Sequence, residues 1–304
     1  WKRIPYCDKV NCLTSRCTGA DYGRLLCLTT LSRPPRDLYV RQIMKHFILI
    51  TLFILFILAP IIMVCAVAFT GDGFISLPVN GLSLRWFKAI LNNPRFMDAF
   101  VFSLGLGLIS ASIAIVIAIP SALATARYQF RGREALMAFF LSPLMIPHIV
   151  LGLAFLKFFT SIGVSGTYFG LVVAHTIVVM PYALRLVLAS ATGLDPSLER
   201  AALSLGASTW TTFRRIVLPL IMPGVVSGWV IAFITSFDEL TMSIFIASPS
   251  TTTLPVRIFL HIEDTIDPLV TAVSAALIYI TMIAIFILDR AIGLEKLFVG
   301  KGRA

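Results

Sequence analysis

Charge is what this 304-residue sequence has least of: Asp, Glu, Lys and Arg together make up 13% of it. A soluble domain carries about a quarter charged residues and about half apolar ones. Here the apolar share is 58% and the mean hydropathy +0.92, which excludes a water-soluble fold and implies an integral membrane protein. Acidic residues are the scarcer kind, 15 against 25 basic, for a formal charge of +10. That surplus does not describe a nucleic-acid-binding face. The basic residues sit at the ends of apolar runs and are not interleaved with aromatics on a polar surface.

Chemistry-bearing patterns are also missing. Cys7, Cys12, Cys17 and Cys27 precede the first apolar run, form no Cys-x-x-Cys pair and do not have zinc-finger spacing. Cys65 lies inside an apolar run and is read as packing. No metal or cofactor is expected. Gly300-Lys301 is followed by Gly302, where a phosphate-binding loop needs Ser or Thr, so ATP energy would have to come from a separate subunit. No Gly-x-Ser-x-Gly or His-Glu-x-x-His occurs, and the chain is not read as an enzyme. Of the four histidines, His46 and His261 are expected to be solvated. His148 and His175 fall in apolar runs, where a helix–helix hydrogen bond is favoured over a ligand role. There is no internal repeat and no low-complexity segment.

What the sequence has is long uncharged windows. Those at 47–69, 99–120, 135–156, 168–184, 218–247 and 269–288 predict six membrane-spanning helices, an all-α polytopic fold. The first is too long for a signal peptide and lacks a small-x-small exit. The second carries Gly105, Gly107, Ser110, Ala111 and Ser112, small residues that permit close helix contact. Pro143 and Pro147 interrupt the third, and Pro181 falls in the fourth. Residues 1–46 form a basic tail with nine Lys/Arg, 47–290 the membrane domain and 291–304 a C-terminal tail. The chain opens on Trp1, and its composition changes near Arg36. Residues 1–38 are therefore read as an artificial addition or as an overextended reading frame with the start near Met44, and are set aside from functional reasoning.

Orientation follows from Lys/Arg bias. The two tails and the loops at 121–134 and 185–217 hold 20 basic residues, and the opposite side holds five: Arg85, Lys88, Arg95, Lys157 and Arg257. Both termini and the 185–217 segment are expected in the cytoplasm, where disulfides between the tail cysteines are not expected.

That segment contains the most structured polar stretch, 195–219. Asp195 suits an N-cap, Pro196 the first helical position and Gly206 a C-terminal stop, with Leu198, Ala201, Ala202 and Leu205 at helical spacing. Ser208 can cap a second short helix bearing Trp210, Phe213 and Val217 on one side, which Pro219 is expected to end. Ala201-Ala202, three residues, Gly206, nine residues and Ile216-Val217-Leu218-Pro219 resemble the Glu-Ala-Ala signature of permease subunits of ABC-type importers. The signature's glutamate position is Arg200 here, and Glu199 lies one residue earlier. The resemblance implies a type I importer permease whose 195–219 loop is a cytoplasmic coupling helix. Glu199, Arg200, Ala201, Ala202, Gly206, Ile216, Leu218 and Pro219 would then face a separate ATP-binding subunit. It also implies a second permease subunit, which can be another copy of this chain, and a periplasmic or lipoprotein solute-binding protein.

The other conspicuous feature is Ser236-Phe237-Asp238-Glu239, two adjacent carboxylates about 20 residues, or roughly 30 Å of helix, beyond Leu218. An ionised group within a bilayer costs at least a few kcal/mol (~3) unless it faces water, a partner or a substrate. One carboxylate lines a solute pathway while the other pairs or caps a turn; alternatively the helix ends near Phe237 and both are interfacial. Residues 98–290 as a whole resemble the second-permease type of polyamine importers. The matching stretches are Arg127-Tyr128-Gln129-Phe130-Arg131-Gly132, the coupling segment, Ser236 to Glu239, and Thr253-Leu254-Pro255-Val256. The resemblance implies a putrescine or spermidine cargo; amino-acid, ferric-iron and thiamine permeases share similar forms, and His148 stands where polyamine members have an acidic residue. A proton-coupled secondary carrier using Asp238 and Glu239 is the rival, but it predicts inverted repeats.

Overall fold

The computed structural model describes residues 36–75 and 81–292. Most of the basic tail with its four cysteines, residues 76–80 of the 70–97 loop and the C-terminal 293–304, Gly300-Lys301 included, lie outside the described residues. The described chain is helical: α1 (Arg36–Val67), α2 (Arg85–Leu91), α3 (Pro94–Arg127), α4 (Arg133–Leu141), α5 (His148–Ser161), α6 (Tyr168–Thr192), α7 (Pro196–Ser204), α8 (Thr209–Thr212), α9 (Leu218–Phe237), α10 (Ser243–Ile246), α11 (Leu254–Asp264) and α12 (Leu269–Ile292). Among the described residues the only β pairing is an isolated antiparallel bridge between Thr70 and Leu82.

Met44–Val67, Pro94–Arg127, Tyr168–Thr192 and Thr209–Phe237 are each long and apolar enough to cross a membrane. The third window is a bent helix pair, α4 and α5, turned by 105° at a short 3₁₀ turn, Ser142–Met145, and Pro147. The sixth is α12, which is apolar through Leu269–Ile283.

Three helix ends fall elsewhere than expected. The second window continues through Pro120 to Arg127, because helix neighbours and hydroxyls, such as Ser121 Oγ donating to the Ile117 carbonyl at 2.8 Å, support a proline inside a membrane helix. Pro219 does not end the helix begun at Ser208. The Leu218 amide donates to the Phe213 carbonyl, a π-helical turn over Phe213–Val217 that widens the ladder and accommodates the proline ring. The result is one helical run, Thr209–Phe237. Conversely, the fifth window stops at Phe237 rather than continuing to 247; Asp238 to Met242 break it before the four-residue α10.

The described chain divides into two compact units, one up to Ile57 and one from Leu58 onward. The described part of the first is the N-terminal portion of α1, whose Phe47, Leu49, Phe53 and Phe56 are exposed as a lipid-facing helix requires. The core of the second is the trio α3, α6 and α9, centred on Ala111, Ala114, Ala118, Val179, Ala183 and Ile221. Close approach is set by Gly224: a Cβ there would lie 2.5 Å from the Leu186 carbonyl oxygen and 2.2 Å from Ser190 Oγ. A second cluster joins α2, the start of α3, α11 and α12 through Trp86, Phe96, Leu254 and Val273, and Cys65 packs against it. A third sets α5 and α10 against α3 and α6.

Candidate functional site

The 195–219 loop is built as its residues dictate. Asp195 Oδ1 accepts from the Ser197 amide at 2.8 Å, which caps α7 and holds this exposed carboxyl below its ordinary pKa. Pro196 takes the first helical position. At the other end the Gly206 amide donates to the Leu203 carbonyl at 3.0 Å and the Ala207 amide to the Ala202 carbonyl at 3.1 Å. This pair of bonds closes the helix, and it needs the left-handed conformation that Gly206 adopts at φ +83°. Ser208 then caps α8 by accepting from the Thr211 amide at 3.2 Å.

Of the loop residues, Ala202 is buried, Ile216 and Leu218 are half-buried, and Arg200, Ala201, Gly206 and Pro219 are exposed. The turn leaves apolar surface in water: Leu205 is 89% exposed and Trp210 68%, with Leu198 and Leu203 close to half. Between α7 and α8 lies a recess of about 450 Å³ lined by Leu198, Ala201, Leu205, Thr211 and Ile216. Glu199 does not face outward with them. Its Oε2 accepts from Arg127 Nη1 at the end of α3, while its Oε1 is buried with no hydrogen-bond partner. Nothing in the spacing links positions 127 and 199; Arg127 belonged to a recognised stretch, but its partner is a tertiary fact.

The two adjacent carboxylates have different surroundings. Asp238 follows the last residue of α9 and is exposed. Glu239 is 6% exposed; its Oε1 accepts from the Met242 amide at 2.7 Å, and its Oε2 lies 2.8 Å from His148 Nδ1 on α5. Glu239 therefore caps the turn into α10 and ties the two helix breaks together. His175 is buried between two serines, Ser236 Oγ at 2.8 Å on α9 and Ser243 Oγ at 3.0 Å on α10, so it hydrogen-bonds between helices, while His148 bonds to the break between α9 and α10. His261 is not simply solvated as expected: its Nε2 lies 3.1 Å from Asp267 Oδ1 and its ring meets Phe96 edge-on. Below Asp238, Trp229, Phe233 and Phe237 recur every fourth residue along α9; Trp229 and Phe233 stack at 5.8 Å. At the far end of α3 from Arg127, Arg95, Asp98 and Arg257 line a cleft of about 540 Å³. Among the described residues no group of three or more His, Cys, Asp or Glu is placed to hold a metal ion.

The family described as binding-protein-dependent transport system inner membrane component matches residues 114–294, more than half of the chain. The chain belongs to that family. It is a multi-pass inner-membrane permease of an ABC-type importer. The spermidine/putrescine permease PotC of Haemophilus influenzae is 32% identical over 233 residues, covering 77% of this chain and 90% of the relative. The putrescine permease PotI of Escherichia coli K12 is 28% identical over 247 residues, 78% and 88% of the two chains. The molybdenum permease ModB of Mycobacterium bovis is 30% identical over 240 residues, 73% and 90%. In fold, the permease is similar to a chain of a bacterial ABC transporter that imports the acidic polysaccharide alginate, at TM-score 0.69 and 16% identity over 86% of this chain and 98% of that one. The family match takes in the 195–219 loop, Asp238 and Glu239.

Proposed function

We propose that this permease docks a cytoplasmic ATP-binding subunit through 195–219 and passes a cationic, polyamine-type solute by way of Asp238. The observation that carries the docking is the rigid turn at Gly206, which holds Leu205 and Trp210 in water although both are large and apolar. Contiguous exposed apolar surface beside a recess is the pattern of a protein-binding site. Arg200, also exposed, sits beside it where the family signature has glutamate, so the partner surface facing Arg200 is acidic. Lys/Arg bias puts this loop and both termini in the cytoplasm. A second permease subunit completes the pathway, and a solute-binding protein delivers cargo to the outer loops at 70–97 and 248–267.

For the cargo, Asp238 is the carboxylate left free to meet a ligand, because both Glu239 oxygens are already engaged. An exposed carboxylate above an aromatic stripe suits a chain of methylenes carrying ammonium groups. Two relatives, PotC and PotI, are named for polyamines. ModB is named for molybdenum transport, and an oxyanion cargo is the second reading. It is disfavoured here by the repulsion Asp238 would exert. Uptake of labelled putrescine, spermidine and molybdate by cells expressing the complete transporter decides between them. Asp238→Asn is expected to reduce polyamine uptake at least tenfold with membrane level and ATPase co-purification unchanged. Polyamine uptake at the parental rate in that variant refutes the role of Asp238, and molybdate uptake in place of polyamine refutes the cargo.

A further inference from the structure

Three spans form the packed trio of the membrane core, and each reaches the 195–217 segment in a different way. α6 enters α7 through three residues, Gly193 to Asp195, and α9 leaves α8 as an unbroken helical run. These two connections are covalent and short. α3 has no such connection: among the described residues, the Arg127–Glu199 ion pair is the only hydrogen bond or ion pair that joins it to the loop. It is also the only Lys/Arg–carboxylate pair among the described residues.

We infer that Arg127 and Glu199 are positioning residues that make α3 follow α7, so that work done on the loop reaches the outer half of the permease. This deepens the docking reading above and rests on it. The pair is built to hold. Both side chains are only about a fifth exposed, 23% and 21%, so separating them leaves two poorly solvated charges, a state far worse than a broken surface pair. The unpartnered Glu199 Oε1 adds to this, since that carboxylate has no second partner to fall back on.

α3 is also the right lever. Its 34 residues make a rod of about 51 Å. At the far end Ser103 Oγ accepts from the Leu254 amide at 2.7 Å, fixing α3 to α11. Phe100 meets Phe237 at 6.1 Å, next to Asp238, and Gly107 lies against the Phe233 ring. A displacement at Arg127 therefore arrives at the aromatic residues beside the pathway carboxylate. Without the pair, α6 and α9 move with the loop while α3 is dragged only by packing.

The test is a charge swap in the complete transporter, reconstituted in proteoliposomes with labelled putrescine, reading both import and ATP hydrolysis. Arg127→Glu, which lies outside the docking surface, is expected to keep the ATP-binding subunit and its hydrolysis within twofold. Putrescine imported per ATP should fall about tenfold. Glu199→Arg should show the same loss of import, and the double variant Arg127→Glu/Glu199→Arg should recover at least half of the parental ratio. Glu199→Gln, which keeps the acceptor without the charge, should fall between. A parental import-to-hydrolysis ratio in both single variants overturns the inference, as does loss of import in strict proportion to loss of assembled complex. Absence of ATP-driven import, or of a bound ATP-binding subunit, in the parent overturns the proposed function itself, a result distinct from either.

Discussion

Asp238 and Glu239 are separated by one peptide bond, and the end of α9 between Phe237 and Met242 leaves Asp238 exposed and Glu239 buried. Glu239 is buried with both oxygens engaged, one by the Met242 amide and one by His148. Glu239→Ala would leave that amide without its cap and His148 without its partner, a loss of about 2–4 kcal/mol for a buried carboxyl with two hydrogen bonds. The expected outcome is a clear drop in the unfolding temperature of the detergent-solubilised protein, smaller for Glu239→Gln, which still accepts from Met242. Asp238→Asn, altering an exposed group, should leave that temperature unchanged. Equal melting of Glu239→Ala and the parent would show that the cap and pair contribute nothing. At this scale the sequence marked the pair as unusual and offered two fates, pathway or interface. It could not assign them, because His148 is 91 residues from Glu239 and meets it only through the bend at Pro147.

Among the elements, α7 and its turn were the most legible, since every signal in them is local. Asp195, Pro196 and Gly206 each act on backbone groups within a few residues, and each does so in the structure. Gly206→Val would force a β-branched residue into the left-handed region, at about 1–2 kcal/mol or more. The turn should open, with co-purification of the ATP-binding subunit lost and membrane insertion retained; normal co-purification would rule out docking through this turn. Asp195 has its pKa lowered by the Ser197 amide, so its cap is fully present above the ordinary carboxylate value and is lost as pH falls through the lowered one. The helix ends near prolines were read less well. Pro219 suggested a stop because a lone helix breaks at proline, yet the π-helical turn at Phe213–Val217 carries the chain past it, as α3 passes Pro120.

Across the whole molecule, the core of the larger unit depends on how closely α6 and α9 approach. Gly224→Ala would put a methyl 2.5 Å from the Leu186 carbonyl oxygen, a backbone atom that no rotamer change can move. A loss of about 1–3 kcal/mol is expected from such overpacking, seen as a lower unfolding temperature and poorer yield. Gly228→Ala, whose nearest contacts are 3.2 Å, should be milder. An unchanged Gly224→Ala protein would mean that the two helices are free to separate. Composition by itself determined that this chain lives in a bilayer, because so few charges leave nothing to solvate a surface. Uncharged run length determined where most spans lie, and the Gly206-to-Pro219 spacing determined the permease class. Which spans pack together, the direction Glu199 faces and the different surroundings of Asp238 and Glu239 were decided only by tertiary structure. Each depends on residues from distant segments meeting across helices, and a pattern of period 3.6 records that a residue lies on one face of its own helix, never which helix stands opposite.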